Sequence, residues 1–128
     1  MFSINKNLNY GRKYIKSYSK GYLKNINKKA VIVDLGSGTG IDLYNVSILG
    51  FEPEIHSVDH KPNKKINSIF KNKNTLKKHY LNIECEKLPF EDASVDIIIV
   101  NQILEHCKEI FWIFHEISRV LKINGIIL

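Results

Sequence analysis

Short apolar runs alternate along this chain of 128 residues with segments in which apolar and polar residues are mixed. Two runs, residues 30–35 ("AVIVDL") and 95–100 ("VDIIIV"), are almost continuously apolar and predict strands that are buried on both faces. Shorter runs predict further strands at 54–59, at 77–83 and from residue 125 onward. The two apolar strands are therefore expected at the centre of a sheet.

The mixed segments carry apolar residues at spacings of three and four, which predicts helices within 8–26, 41–50, 61–74 and 106–122. The last of them has the clearest apolar stripe: Ile110, Ile113, Phe114, Ile117, Val120 and Leu121. Helices that alternate with fully apolar strands cover both faces of a parallel sheet. We therefore predict an α/β fold, a doubly wound and mostly parallel sheet in three αβα layers.

The net charge of +6 is unevenly distributed. Residues 1–29 carry eight Lys or Arg and no acid, and residues 61–80 carry seven Lys and no acid. Such segments suit nucleic acid or another anionic partner. However, the chain has 17 Lys and two Arg, and Ile, Lys and Asn together account for 50 residues. Because RNA recognition favours Arg, compositional bias is the preferred interpretation, and nucleic acid remains the less favoured partner.

The composition also limits where the protein acts. No apolar run approaches the roughly 18 residues of a membrane span, and the N-terminus lacks the apolar core of a signal peptide. Two cysteines, Cys85 and Cys107, show no ligand-like spacing. We expect a cytoplasmic protein with no membrane span and no metal site.

Three glycines, Gly36, Gly38 and Gly40, directly follow the first strand. Ligands of doubly wound sheets bind at that end of the strands, and glycine lets the backbone adopt positive φ and approach a ligand closely. The spacing differs from the G-x-G-x-x-G of dinucleotide-binding proteins, and the absence of Lys from 30–60 excludes a P-loop. The remaining pattern is acid-x-G-x-G-x-G, with Asp34 as the acid.

This pattern resembles motif I of class I S-adenosylmethionine-dependent methyltransferases. The later stretch "NIECEKLPFEDASVDIIIVNQILEH" resembles the corresponding segment of the type 11 methyltransferase group. The resemblance covers residues 30–128 and implies a Rossmann-like fold, with residues 1–29 as an N-terminal helical extension. It implies S-adenosyl-L-methionine as the cofactor and methyl transfer to a small-molecule or sugar-containing acceptor. Two alternatives stay open, a non-catalytic truncated cofactor-binding module and an RNA-directed methyltransferase.

The resemblance also assigns roles to residues. Asp59 ends the second strand and would accept hydrogen bonds from the ribose hydroxyls, although His60 beside it is larger than usual in the family. Glu84 would lie near the adenine amine and the Cys85 backbone amide near a ring nitrogen, while Asn101 and Gln102 would flank the methionine portion. The predicted cofactor-binding residues are Asp34, Gly36, Gly38, Gly40, Asp59, Glu84, Cys85 and Asn101.

The candidate catalytic residue is His106, which follows the fourth strand and would accept a proton from the acceptor. Its alternative role is local, as a cap or packing residue of the next helix. Glu105 is a weaker candidate. We expect Trp112 to be a packing residue and His79 to be exposed.

The family sheet has seven strands, whereas five are predicted here. We therefore expect the domain to be truncated after the fifth strand. An unpaired apolar edge invites pairing with another chain, so a homodimer through that strand is a further expectation.

Overall fold

The computed structural model describes residues 10–26, 29–71 and 75–128, and predictions that fall on residues 1–9, 27–28 and 72–74 lie outside this part. A 3₁₀ turn at Leu104–His106 precedes the last helix. The remaining elements, in chain order, are α1 (Tyr10–Leu23), β1 (Val31–Leu35), α2 (Ile41–Ser47), β2 (Glu54–Asp59), α3 (Lys64–Ile69), β3 (Leu76–Tyr80), β4 (Val95–Ile99), α4 (Ile110–Val120) and β5 (Leu121–Ile127).

The five strands form one sheet in the order β3-β2-β1-β4-β5, and every pair of neighbours is parallel. The predicted α/β fold class is therefore confirmed. The chain runs outward from β1 to β3 on one side and continues with β4 on the other side of β1. This reversal opens a crevice beyond the carboxyl ends of β1 and β4, where ligands of such sheets bind.

Two apolar cores lie on opposite faces of the sheet because successive strand residues point to opposite sides. On one face Ile32 and Ile97 pack with residues of α1, α2 and α3. On the other face Val33 and Ile98 pack with residues of α4. These strand side chains are fully buried, and burial of one aliphatic side chain contributes about 1.5–3 kcal/mol.

The last helix and strand differ from the prediction in their bounds. The helix predicted at 106–122 is α4, Ile110–Val120, and β5 begins at Leu121 rather than at 125. Leu121 pairs with Val95 of β4, so pairing with the sheet ends the helix although the apolar spacing continues.

The buried stripe of α4 also differs from the predicted one. Ile113, Ile117 and Val120 are buried as expected, and Glu116 is buried with them at 2% exposure. Phe114, which the pattern assigned to the stripe, is 42% exposed. The buried face of α4 is therefore centred closer to Glu116 than hydropathy alone predicts.

The N-terminal helix α1 packs on the sheet. Its residues Ile15 and Leu23 are buried in the same core as Ile32. Separation of an extension at 1–29 from a domain at 30–128 stays a prediction. In the ranges the structure describes, no helix is both long and apolar enough to cross a membrane.

Candidate functional site

A cleft of about 620 Å³ lies at the carboxyl end of the sheet. It is lined by Gly36 after β1, Asp59 and His60 at the end of β2, residues 81–84 after β3, and residues after β4 that include His106. Small-molecule sites typically have about 300–1,000 Å³. Four predicted site residues, Gly36, Asp59, Glu84 and His106, thus meet at one cleft of suitable size.

The glycine loop adopts a backbone that other residues rarely tolerate. The φ angles of Gly36, Gly38 and Gly40 are +69°, +50° and +80°. A Cβ on Gly36 would lie 2.0 Å from Ile103 Cδ1, and one on Gly40 would lie 2.6 Å from Ile66 Cγ1. Gly36 and Gly40 are therefore required both by backbone angle and by close packing. A Cβ on Gly38 would have the Gly36 carbonyl oxygen, at 3.9 Å, as its nearest neighbour, so only the backbone angle favours glycine there.

The loop is fastened to the end of β2 by hydrogen bonds. The Gly36 amide donates to the Val58 carbonyl over 2.8 Å. The Gly38 amide donates to Asp59 Oδ2 over 2.9 Å. Oδ1 of Asp59 accepts from the His60 amide at 2.8 Å and lies 2.9 Å from the His60 ring. The Asp59 side chain is 17% exposed, so its carboxylate is held firmly and still borders the cleft.

Asp34 is buried in β1, just before the glycine loop, and does not line the cleft. Its residue is 4% exposed. Burial raises the pKa of Asp34 well above its usual range, and the nearby carboxylates of Asp42 and Asp59 raise it further. A hydrogen bond from the Leu43 backbone acts in the opposite direction. Three carboxyl groups therefore interact close to the loop.

Asn101 connects β4 to α2. Its side-chain amide donates to Asp42 Oδ2 over 3.0 Å, and the other oxygen of Asp42 accepts from Arg12 Nε at 3.0 Å. This network joins α1, the start of α2 and the end of β4. Asn101, predicted beside the methionine portion, thus stands behind the cleft rather than on its lining.

The two neighbouring residues predicted to contact adenine have different surroundings. Glu84 lines the cleft, and its Oε1 accepts the backbone amides of Lys108 and Glu109 at the start of α4. These two hydrogen bonds hold the pKa of Glu84 below its usual value. The Cys85 amide donates to the Asn82 carbonyl over 3.2 Å, and its thiol is free and exposed.

His106 ends the 3₁₀ turn and is exposed on the rim of the cleft. Its backbone amide donates to the Ile103 carbonyl over 2.9 Å, which fixes the turn. Glu105 is also exposed but does not line the cleft. Of the two, His106 is therefore better placed to reach a molecule bound there.

A family model described as "Methyltransferase domain", type 11, matches residues 33–128. The chain belongs to the type 11 methyltransferase family. The match spans the glycine loop, Asp59, the segment with Glu84 and the whole of α4, so the resemblance read from those motifs is confirmed.

Proteins similar to this chain in sequence or in structure are also described as methyltransferases. A malonyl-[acyl-carrier protein] O-methyltransferase of Nitrosospira multiformis is 26% identical over 113 residues, which cover 75% of this chain and 36% of that protein. The CurJ carbon methyltransferase superposes with a TM-score of 0.79 at 17% identity, over 91% of this chain and 33% of its own. Geranyl diphosphate C-methyltransferase of Streptomyces coelicolor superposes with a TM-score of 0.71 at 18% identity, over 88% of this chain and 43% of its own.

The two structural likenesses describe the fold, and the chain spans about a third of the curated relative that it matches. In the part of the chain that the structure describes, no group of three or more His, Cys, Asp or Glu side chains is arranged to hold a metal ion.

Sequence reasoning missed a pair of histidines, His56 and His79, on the neighbouring strands β2 and β3. His79 lies within β3 and is only partly exposed, contrary to expectation, because its Nε2 is 2.9 Å from His56 Nδ1 on β2. Phe90 packs edge-on against both rings. Parallel pairing sets His56 opposite Lys77 and His79 opposite Val58, so the two histidines are offset by two residues in register and share one face of the sheet. Only the sheet order reveals this relation.

It also missed the polar face of α4. Trp112, Glu116 and Arg119 bond to the segment 86–92. Their spacing of four and three residues places them on one side of a helix, and this was the available signal.

Proposed function

We propose that this chain binds S-adenosylmethionine in the cleft and forms the cofactor-binding part of a methyltransferase with a small-molecule acceptor. The observation that carries the proposal is the arrangement of Asp59. Its carboxylate is fixed by the Gly38 amide, borders the cleft and is only 17% exposed. A fixed carboxylate beside a glycine loop is suited to accept hydrogen bonds from a ribose.

The other residues fit the same ligand from end to end. The glycine loop allows close approach of the cofactor, and Glu84 at the far end of the cleft is an acceptor for the adenine amine. Because Oε1 of Glu84 already accepts two amides, Oε2 is the oxygen assigned to adenine. Gln102 lies on the lining after β4, where the methionine portion is expected. Cys85 and Asn101 remain proposed contacts through a small rearrangement of their present hydrogen bonds.

S-adenosylmethionine carries its own leaving group, a sulfonium that departs as a neutral thioether. The chain has therefore mainly to orient the two reactants and to exclude water. An oxygen or nitrogen acceptor also has to lose a proton, and His106 on the rim is the proposed base. On this proposal His106→Gln lowers kcat by about 10²–10⁴-fold and leaves cofactor affinity unchanged.

A small-molecule acceptor is supported by the names of similar proteins. One is described as acting on malonyl-[acyl-carrier protein], and another was solved with geranyl diphosphate and S-adenosyl-L-homocysteine. Sugar-containing acceptors belong in the same panel of trial substrates. RNA is the contrasting trial substrate because of the basic segments, and steep salt dependence of RNA binding would support it.

The test is calorimetric titration of the chain with S-adenosylmethionine and S-adenosylhomocysteine. We expect micromolar binding that Asp59→Ala abolishes. The matched control is Glu91→Ala, which removes an exposed carboxylate outside the cleft lining. Absence of binding by a folded wild-type chain would refute the proposal. Binding without transfer to any trial acceptor would instead favour a non-catalytic cofactor-binding module.

A further inference from the structure

The segment 84–92, which we call the rim loop, lies along α4 and is bonded to it at successive positions. Glu84 accepts the amides that begin the helix. Further along, side chains from a single face of α4 reach the backbone of alternate rim-loop residues, namely Glu86, Leu88 and Phe90. The rim loop is therefore hydrogen-bonded along its length to α4 and to the residues just before it.

The bonds are most numerous at the carboxyl-terminal half of α4. Glu116 Oε2 accepts the Leu88 amide over 2.8 Å. Arg119 Nη2 donates to the Leu88 carbonyl over 3.0 Å, and Nη1 donates to the Phe90 carbonyl over 2.9 Å. Nη1 also lies 2.9 Å from the carboxylate of Asp92. Glu116 and Arg119 thus bind the amide and the carbonyl of Leu88, and Arg119 also binds Phe90 and Asp92.

Burial and charge make this pair specific. The side chain of Glu116 is 2% exposed and that of Arg119 is 21% exposed. Arg119 Nε is 3.0 Å from Glu116 Oε1, and Nη2 is 2.7 Å from Oε2, which is a two-pronged ion pair. Hydrogen bonds with charged partners are about twice as strong as neutral ones, and the planar guanidinium fixes their direction.

The pair does not touch the cleft itself. Glu84 is the one rim-loop residue on the cleft lining, while Leu88 is buried in the core beneath α4. Bonds at Leu88 and Phe90 therefore act on the cleft through the path of the chain between them and Glu84. We infer that Glu116 and Arg119 are positioning residues that hold the rim loop so that Glu84 can select adenine.

This inference rests on the proposed function, since it assigns adenine to the rim loop. It differs from a purely structural role in what it predicts. Loss of general stability would weaken every ligand alike, whereas a displaced rim loop weakens only contacts to the base. The two roles are therefore separated by the preference for adenine over a base without the exocyclic amine.

The experiment uses Arg119→Met and, as a variant that keeps the charge, Arg119→Lys. Ser118→Ala, an exposed neighbour on α4, is the matched control. Affinities are measured by calorimetry for S-adenosylhomocysteine and for S-inosylhomocysteine, in which a carbonyl replaces the amine. We expect Arg119→Met to lose on the order of tenfold in affinity for the adenosyl ligand and little for the inosyl ligand, corresponding to one charged hydrogen-bond network. Arg119→Lys should restore only part of the preference because a single ammonium cannot replace the fork.

Hydrogen exchange of the unliganded chain gives a second readout. Leu88 donates its amide to Glu116, so its exchange should accelerate in Arg119→Met while amides of β1 keep their protection. If Arg119→Met does not fold, Glu116→Gln keeps the volume, removes the charge and serves for both measurements.

The outcomes separate the two proposals. A wild-type chain that does not bind S-adenosylhomocysteine overturns both. A wild-type chain that binds, with the same adenine preference in wild type and variants, overturns the positioning role alone. A reduced preference with faster exchange at Leu88 supports it.

Discussion

The two walls of the cleft are fixed in different ways. The glycine loop is held by local backbone geometry, with three positive φ angles between Gly36 and Gly40 and a backbone bond to the neighbouring strand. The rim loop is held by side chains of α4 that lie about thirty positions later in the chain, such as Arg119 bonded to Leu88. The glycine loop therefore depends on the absence of side-chain atoms, and the rim loop depends on particular charged side chains.

This difference determines how each wall fails. An added methyl group on Gly36 or Gly40 meets packed atoms at once, because Ile103 and Ile66 occupy the space that a Cβ would take. The rim loop tolerates changes of volume better but loses its hydrogen bonds when a charge is removed. The following predictions test that contrast, beginning with the largest expected effect.

Gly36→Ala should destabilise the fold by about 3 kcal/mol or more. The substitution combines a strained positive φ, which costs about 1–3 kcal/mol, with overpacking against Ile103, which costs a similar amount. The measurement is the free energy of unfolding in urea. The matched control is Gly21→Ala in α1, where nothing lies within 4 Å and a gain of about 0.5–1 kcal/mol is expected. Equal effects at both sites would contradict the account of the glycine loop.

Glu116→Ala should cost about 2–3 kcal/mol, less than the glycine substitution. It leaves the Leu88 amide and part of Arg119 without their partner in a buried setting. The double variant Glu116→Leu/Arg119→Leu should lose less unfolding free energy than the sum of the losses of Glu116→Leu and Arg119→Leu. Each single variant leaves the other charge buried without its partner. Urea unfolding of the four members of this cycle measures the coupling, and His115→Ala on the exposed face of α4 is the reference. Simple additivity would mean that the ion pair does not hold the rim loop.

The contrast also explains what the sequence could predict. The glycine loop was identifiable because its signal is local, five residues directly after an apolar strand. The strand at 54–59, which ends in Asp59, was predicted with its observed bounds for the same reason. Fold class followed from the alternation of apolar runs and helical spacing.

The rim loop was not identifiable in the same way. Its bonds join residues 24–31 positions apart, and hydropathy placed Phe114 rather than Glu116 on the buried side of α4. Hydropathy assigns Glu116 to the solvent side, and the Leu88 amide that it accepts inside the protein lies 28 positions earlier in the chain. The start of β5 at Leu121 was missed for a related reason, since pairing with Val95 rather than local preference ends the helix.

The rim loop should also weaken in acid. Burial lowers the pKa of His56, and the hydrogen bond that its ring donates to the Glu54 carboxylate opposes this. Burial and the nearby His56 lower the pKa of His79, and Lys77 acts in the same direction on both histidines. A histidine with a lowered pKa in the folded state contributes stability above its unfolded pKa of about 6.5, and this stability is lost as the pH falls. Protonation would separate the two rings on which Phe90 packs.

We therefore expect the free energy of unfolding to fall between pH 7.5 and pH 5 through this pair, because the unfolded chain binds these protons more tightly than the folded chain does. His79→Gln should reduce that loss, so its stability relative to wild type improves as the pH falls. His115→Gln on the exposed face of α4 is the matched reference. A gap between His79→Gln and wild type that stays constant with pH would contradict the prediction.

The glycine loop should respond to pH in the opposite direction. The pKa of buried Asp34 is raised by desolvation and by the carboxylates of Asp42 and Asp59, so the folded state binds this proton more tightly than the unfolded chain does. Ionised Asp34 therefore costs stability at pH values above its unfolded pKa of about 3.9, and the cost disappears as the pH falls towards that value. Asp34→Asn keeps an oxygen that accepts the Leu43 amide but removes the charge.

Asp34→Asn should consequently stabilise the chain at pH 7.5 by about 0.5 kcal/mol or somewhat more, the lower end for single stabilising changes, and the gain should shrink by pH 4.5. Urea unfolding at both pH values measures it, with Glu91→Gln, which changes an exposed carboxylate outside the cleft lining, as the control. A destabilised variant at pH 7.5 would mean that the Asp34 charge is needed to hold the loop. A stabilised variant that also binds S-adenosylhomocysteine less well would show that the buried Asp34 carboxyl costs stability but serves ligand binding at the glycine loop. The rim loop differs, because the buried charge of Glu116 stabilises it.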